Sequence, residues 1–346
     1  MCIRDRYGLI RSALFATSPE TAHEMALESL RLAYGVGATQ LMCKVPDDPA
    51  TVMGLAFRNR VGLAAGMDKN GDYIDALGSL GFGFIEVGTV TPRAQPGNPK
   101  PRVFRVEKAE AMINRLGFNN KGVDHLVGRV RARRFKGILG INIGKNFDTP
   151  NERAVDDYLA CFDKVYPHAD YITINISSPN TAGLRDLQSE DSLESLLGAI
   201  AARRVELSAS QGRSVPIAVK VAPDLDDAGI EDVARVVSAT EMDAVIATNT
   251  TIERPGLEGL PHAGEQGGLS GGPLRDMADA VLSRLRAALP SHIALIGVGG
   301  ITRGEHAARK IELGADLVQF YTGFVYRGPD LISESVKSIR RSKTAA

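Results

Sequence analysis

Residues 175–181 read Asn-Ile-Ser-Ser-Pro-Asn-Thr and directly follow the apolar run Tyr171-Ile172-Thr173-Ile174. A strand that reads as buried therefore ends in side-chain amides and hydroxyls. An amide both donates and accepts, so several of them together suit a flat ligand edged with carbonyls and N–H groups. Asparagines also form Asx turns without any ligand, which is the plainer reading of Asn175 and Asn180 taken singly. Related sets close other apolar runs: Ala65-Gly66-Met67-Asp68-Lys69, Gly88-Thr89, Asn142-Ile143-Gly144-Lys145, Thr248-Asn249-Thr250 and Tyr321-Thr322-Gly323. Amides, hydroxyls and lysines dominate these ends, and carboxylates are few.

Lys220 stands in Ala218-Val219-Lys220-Val221-Ala222, alternating with apolar residues, so its side chain points into an interior where a cation requires a partner. Three roles are open: a Schiff-base lysine, a structural ion pair, or a fixed charge beside an anionic cofactor ring such as a reduced flavin. The glycine-rich Gly297-Val298-Gly299-Gly300 precedes a helical pattern, and with Tyr321-Thr322-Gly323 it suits a phosphate held by backbone N–H groups. Glycine also ends strands for steric reasons alone.

These residues need a scaffold that gathers strand ends. Eight apolar runs, at 61–65, 84–89, 138–143, 171–176, 217–221, 244–248, 294–298 and 317–321, alternate with helical patterns. Their continuous apolar character implies burial on both faces, as in a parallel sheet covered by helices. Eight such units predict a (β/α)8 TIM barrel, whose C-terminal face carries the chemistry. The longer gaps after the second run and between the fourth and fifth leave room for insertions over the mouth. Residues 92–105, rich in proline and glycine, are not ordinary helix.

Ahead of the barrel, residues 7–45 predict two short helices, with Ser18-Pro19 as cap and first residue of the second and Gly35 at its end. Residues 1–6 show no periodicity, are set apart as possibly artefactual, and the barrel is assigned to 46–346.

Composition excludes other classes. With 41 basic and 41 acidic residues the chain has no net field for polyanions, so nucleic acid is not expected. Cys2, Cys43 and Cys161 lack metal or redox spacing, and the six histidines are isolated, so no metal is expected. No apolar stretch reaches the roughly 18 residues a membrane span requires. Gly140-Ile141-Asn142-Ile143-Gly144-Lys145 falls short of the Walker spacing, and no GxGxxG follows a strand.

The longer strings GLAAGMDKNGDYIDALGSLGFGFIEVGTVTPRAQPGNPKPR (62–102), INRLGFNN (113–120), YITINISSPNTAGLR (171–185), PIAVKVAPDL (216–225), VIATNTT (245–251), GGLSGGPL (267–274) and GADLVQFYTGFVYRGP (314–329) resemble class 2, quinone-linked dihydroorotate dehydrogenase. The resemblance runs from about Tyr7 to Arg340. It implies an FMN-dependent enzyme of pyrimidine (UMP) biosynthesis that oxidises (S)-dihydroorotate to orotate and passes electrons to a membrane quinone. Carried onto this chain, it implies flavin contacts at Ala65, Gly66, Met67, Asp68, Lys69, Thr89, Asn142 and Asn175. Further flavin contacts follow at Lys220, Thr248, Gly271, Gly300, Tyr321 and Thr322. It implies substrate contacts at Lys69, Asn114, Arg115, Leu116, Gly117, Phe118, Asn175, Asn180, Asn249 and Thr250. Ser178 falls on the catalytic base, with Thr181 or a water as proton relay, Lys220 stabilising the reduced flavin, and residues 181–185 as a lid.

Serine rather than cysteine at 178 separates class 2 from the soluble class 1 enzymes, which use fumarate or NAD. The same resemblance implies that the N-terminal helices sit peripherally on the cytoplasmic face of the inner membrane. Leu9, Ile10, Ala13, Leu14, Met25 and Leu30 would then line a quinone tunnel, and no obligate partner chain is expected. Ala182 stands where relatives carry proline in NTPGLR, which bears on lid stiffness. A flavin barrel without turnover and a Lys220 aldolase are the competing readings.

Overall fold

Eight parallel strands close on themselves in chain order. They are β1 (Val61–Leu63), β2 (Phe84–Val90), β3 (Ile138–Ile143), β4 (Tyr171–Asn175), β5 (Ile217–Val221), β6 (Ala244–Ala247), β7 (Ala294–Val298) and β8 (Leu317–Phe320). The structure is a computed structural model describing residues 3–41, 44–181 and 183–345. The expected (β/α)8 barrel is therefore the observed one. Strands β1, β4, β6 and β8 end one or two residues before the expected limits, because Ala64-Ala65, Ile176, Thr248 and Tyr321 leave the ladder where the chain turns toward the mouth.

Outside the barrel, Val, Ile and Leu of the strands pack under helices such as Glu190–Gln211 and Asp227–Ala239 in one continuous core. Asp226 starts the second of these by accepting the Gly229 N–H at 2.9 Å, which satisfies an otherwise orphaned donor. Inside, the N-terminal end is filled by aromatic rings. Phe84 meets Phe57 edge-on at 5.2 Å and Tyr171 at 6.3 Å. Phe57 belongs to a hairpin, Ala50–Val52 with Leu55–Phe57, that plugs this end. Gly62 and Gly140 make the room: a Cβ would lie 2.3 Å from the Phe84 ring at the first and 2.1 Å from the Tyr171 ring at the second.

The mouth is roofed by a three-stranded antiparallel sheet of Val103–Val106, Ala111–Asn114 and Gly268–Gly271. Its first two strands come from the insertion after β2, as the gap there implied. The third comes from the segment after β6, not from the fourth-to-fifth gap, most of which is taken by the long helix Glu190–Gln211.

Two helices precede the barrel, α1 (Ile3–Phe15) and α2 (Pro19–Gly35). Helix α1 runs continuously from Ile3 through Tyr7, so the break in periodicity expected before Tyr7 is not a break in secondary structure. Ser18 caps α2 as anticipated, accepting the Thr21 N–H at 3.3 Å. The pair is held by polar ties: Tyr7 donates to Val325 O at 2.6 Å, Arg11 to Tyr326 O at 3.0 Å, Arg102 to Glu20 at 3.1 Å and Tyr73 to Glu28 at 2.6 Å. Ile10, Met25, Leu32 and Val36 remain exposed on these helices. Ala13 is exposed and Leu14 and Leu30 are half-buried, whereas the Leu9 side chain and Ala182 lie outside what is described.

Candidate active site

A cleft opens at the C-terminal end of the barrel beneath the antiparallel sheet. Parallel strands end there together, so their terminal residues converge although they are far apart in sequence. Of the residues expected at substrate, Lys69, Asn114, Leu116, Gly117 and Phe118 line one part of the wall. Asn175, Asn180, Asn249 and Thr250 line another, beside Ser178. Of those expected at the cofactor, Ala65, Gly66, Thr89, Lys220 and Thr248 border the cleft from β1, β2, β5 and β6, and Gly271, Gly300, Tyr321 and Thr322 border its far end.

Five expected residues do not form the wall. Met67 is buried in the outer core. Asp68 turns back to accept the Asp72 and Tyr73 N–H groups at 2.9 and 2.7 Å, and burial raises its carboxyl to about 6. Arg115 swings outward to pair with Glu265 at 2.7 Å and stack 4.6 Å from the Phe104 ring centre. Asn142 is fully buried one tier below the floor. Thr181 is buried, and its hydroxyl has no hydrogen-bond partner among the described residues.

The amides are wired to one another. Asn180 Nδ2 donates to Asn114 Oδ1 at 3.2 Å, and Asn249 Nδ2 donates to Ser177 Oγ at 3.0 Å. Asn175 Nδ2 donates to Thr89 Oγ1 at 2.8 Å, while Tyr158 donates to the Asn175 carbonyl at 2.7 Å and fixes the strand end. Ser178 is buried, and its Oγ accepts the Asn180 N–H at 3.3 Å. Two hydroxyl groups, Ser270 and Thr322, meet at 2.8 Å where the roof touches the glycine end of the cleft.

Cations dominate the charge. Lys69 donates to Gly66 O at 3.1 Å, and burial, helped by the charge of Arg102, brings its ammonium down to about 8. Burial also lowers the Lys220 ammonium, opposed by the carboxylate of Glu86 inside the barrel. No direct ion pair joins the two among the described residues, so the carboxylate acts on Lys220 through the field inside the barrel. It sits within the second apolar run and not at its end.

A flavin phosphate and ring fit this donor set. A Cβ at Gly300 would lie 2.3 Å from the Arg275 backbone and one at Gly271 2.2 Å from Glu110 O, so at these two positions the lining is backbone, beside the Ser270 and Thr322 hydroxyls. Lys220 makes no hydrogen bond among the described residues and so has a donor set available to an anionic ring edge.

Arg185, expected only as the end of the lid at 181–185, is also a tie between loops. Its guanidinium donates to Ser177 O at 3.2 Å and Thr250 O at 2.8 Å and pairs with Asp224 at 2.9 Å, tying together the loops after β4, β5 and β6. A fork of this kind holds several acceptors in fixed geometry. Among the described residues no group of three or more His, Cys, Asp or Glu side chains is arranged to hold a metal.

The family model described as dihydroorotate dehydrogenase matches residues 49–342. A dihydroorotate dehydrogenase (quinone) of Azotobacter vinelandii is 60% identical over 334 residues, 96% of each chain. One from Pseudomonas fluorescens is 58% identical, over 96% of this chain and 98% of its own. Among solved structures, ligand-free DHODH from Eimeria tenella superposes with a TM-score of 0.86 at 38% identity, over 95% of this chain and 96% of the other.

Proposed function

The chain belongs to the dihydroorotate dehydrogenase family, and on that premise we propose that it oxidises (S)-dihydroorotate to orotate in pyrimidine biosynthesis, with FMN in the cleft and a quinone as final acceptor. The observation that carries this reading is the convergence of Asn114, Asn175, Asn180 and Asn249 with Ser178 on one cleft that also holds Lys69 and Lys220. The amides match the carbonyl and N–H edge of a flat anion, and the lysines match its charge.

Oxidation removes a proton from C5 and a hydride from C6 of the substrate. A bound flavin supplies the hydride acceptor. Ser178 shares the cleft wall with Asn175, Asn180 and Asn249, and it is the hydroxyl we assign as the base for the C5 proton. The proton then leaves through Thr181 or a water beside it. Lys220 would supply positive charge to the ring of a bound flavin, and the backbone around Gly271 and Gly300 would hold its phosphate. Arg185 fixes Ser177, the neighbour of the base, relative to Thr250.

Among the described residues no helix is long and apolar enough to cross a membrane. The exposed Ile10, Met25, Leu32 and Val36 favour a peripheral seat for α1 and α2 at a lipid surface, where an apolar quinone is met. Steady-state turnover tests the acceptor: orotate forms rapidly with a soluble quinone and slowly with fumarate or NAD. The reverse preference would move the enzyme to the soluble class.

A further inference from the structure

Below the cleft floor the barrel interior contains a charge that the proposed chemistry does not use directly. Glu86 lies midway along β2, is fully buried and does not border the cleft. Three groups reach its carboxylate, and all three donate: Asn142 Nδ2 at 2.8 Å, Tyr171 OH at 2.8 Å and Gln319 Nε2 at 2.9 Å. The Tyr171 oxygen also takes a Gln319 N–H at 3.1 Å, so its own proton is committed to Glu86. A site built wholly of donors fits a carboxylate rather than a carboxylic acid. Lys220, on β5, faces the same interior: it lies two residues beyond Ala218 as Glu86 lies two beyond Phe84, both of those belong to the inner cluster, and both charged side chains are buried. Its ammonium feels the carboxylate's charge across the barrel.

The contact with Asn142 has a consequence upward. With Nδ2 held by Glu86, Asn142 presents Oδ1 toward the cleft, where it accepts from Thr89 Oγ1 at 2.5 Å and Asn175 Nδ2 at 3.2 Å. Asn175 therefore turns its own Oδ1 toward Asn249 Nδ2, 3.5 Å away, and the Ser177 N–H at 3.3 Å. Each amide sets the direction of the next. An amide at 86 brings N–H donors of its own, so Asn142 no longer faces acceptors alone and is free to turn over; the buried Gln319 Oε1, without a partner among the described residues, would accept from the same amide.

We propose that Glu86 is a positioning residue: from inside the barrel it orients the relay Asn142–Asn175–Asn249 and supplies the counter-charge of Lys220. The inference rests on the dihydroorotate reading of the cleft and assigns a residue beneath it. A carboxylate serving only as barrel filling would affect stability and nothing else.

The test uses flavin-loaded Glu86→Gln, nearly identical in shape, with three readouts: thermal unfolding, orotate affinity from the flavin spectrum, and the flavin midpoint potential against pH. Loss of an enforced amide direction at a buried site weakens orotate by at least about tenfold. The potential falls and acquires a pH dependence, as Lys220 gives up its proton without its counter-charge. Orotate affinity within twofold of wild type together with an unchanged potential overturns the proposal, whatever happens to stability. Glu86→Asp is the second variant and decides the matter if Glu86→Gln does not fold. It keeps the charge and shortens its reach, so the potential stays near wild type while orotate binding weakens; wild-type affinity in Glu86→Asp overturns the relay. Wild-type enzyme that neither binds orotate nor accepts electrons from dihydroorotate removes the functional reading instead, and the potential of Glu86→Gln still decides the pairing with Lys220.

Discussion

The two ends of the barrel interior are made of the same eight strands and differ in what they place inside. Toward the N-terminal end, Phe57, Phe84 and Tyr171 fill the space with rings and are almost wholly buried. Toward the C-terminal end, the same strands deliver Thr89, Asn175, Lys220 and Thr248 to an open cleft. One end excludes water by packing, the other by lodging a ligand. Between them lies a thin polar tier of Glu86, Tyr171 and Gln319, joined by hydrogen bonds. Substitutions below this tier act on folding, and those above it act on chemistry.

The largest effect that separates the halves is expected for Ser178→Ala. Loss of a positioned base slows flavin reduction by dihydroorotate by about 10²–10⁴, while orotate binding stays within a few-fold, measured by stopped-flow and by titration. Phe84→Ala gives the opposite signature, a loss of about 3–5 kcal/mol in denaturant unfolding with unchanged KM in the folded fraction. A rise in KM there would blur the division.

Gly140→Ala sharpens it from the other side. The new methyl meets the Tyr171 ring, and overpacking costs about 1–3 kcal/mol. Because Tyr171 also donates to Glu86, this variant further shows whether strain in the lower half reaches the relay. The smallest effect is one of pH. Burial brings Lys69 down to about 8, so the ligand-free cleft loses that positive charge as pH rises through 8. Orotate affinity accordingly falls several-fold between pH 7 and 9 in titrations, and Lys69→Arg, which stays charged, abolishes the fall.

The barrel was legible because burial on both faces leaves continuous apolar runs such as Ile138-Leu139-Gly140-Ile141, a local signal. The cleft was legible because polar residues end those runs. The roof was not, since its strands are four residues long and Gly268–Gly271 meets Ala111–Asn114 from more than 150 positions away. Glu86 went unassigned for a different reason: one carboxylate in Phe-Ile-Glu-Val-Gly-Thr does not break the apolar pattern, and its donors lie on β3, β4 and β8. Met67 and Asp68 sit in the same sequence run as Gly66 and Lys69, yet the turn there sends them to the core and to a cap. Sequence adjacency in a turn says nothing about which way each side chain faces.

The most direct measurement is anaerobic mixing of the flavin-loaded enzyme with dihydroorotate while the flavin absorbance is followed, then addition of a soluble quinone. The geometry of the cleft predicts that the yellow colour bleaches on mixing and returns on adding quinone. Bound flavin that stays oxidised in the presence of dihydroorotate would contradict the assignment of the cleft.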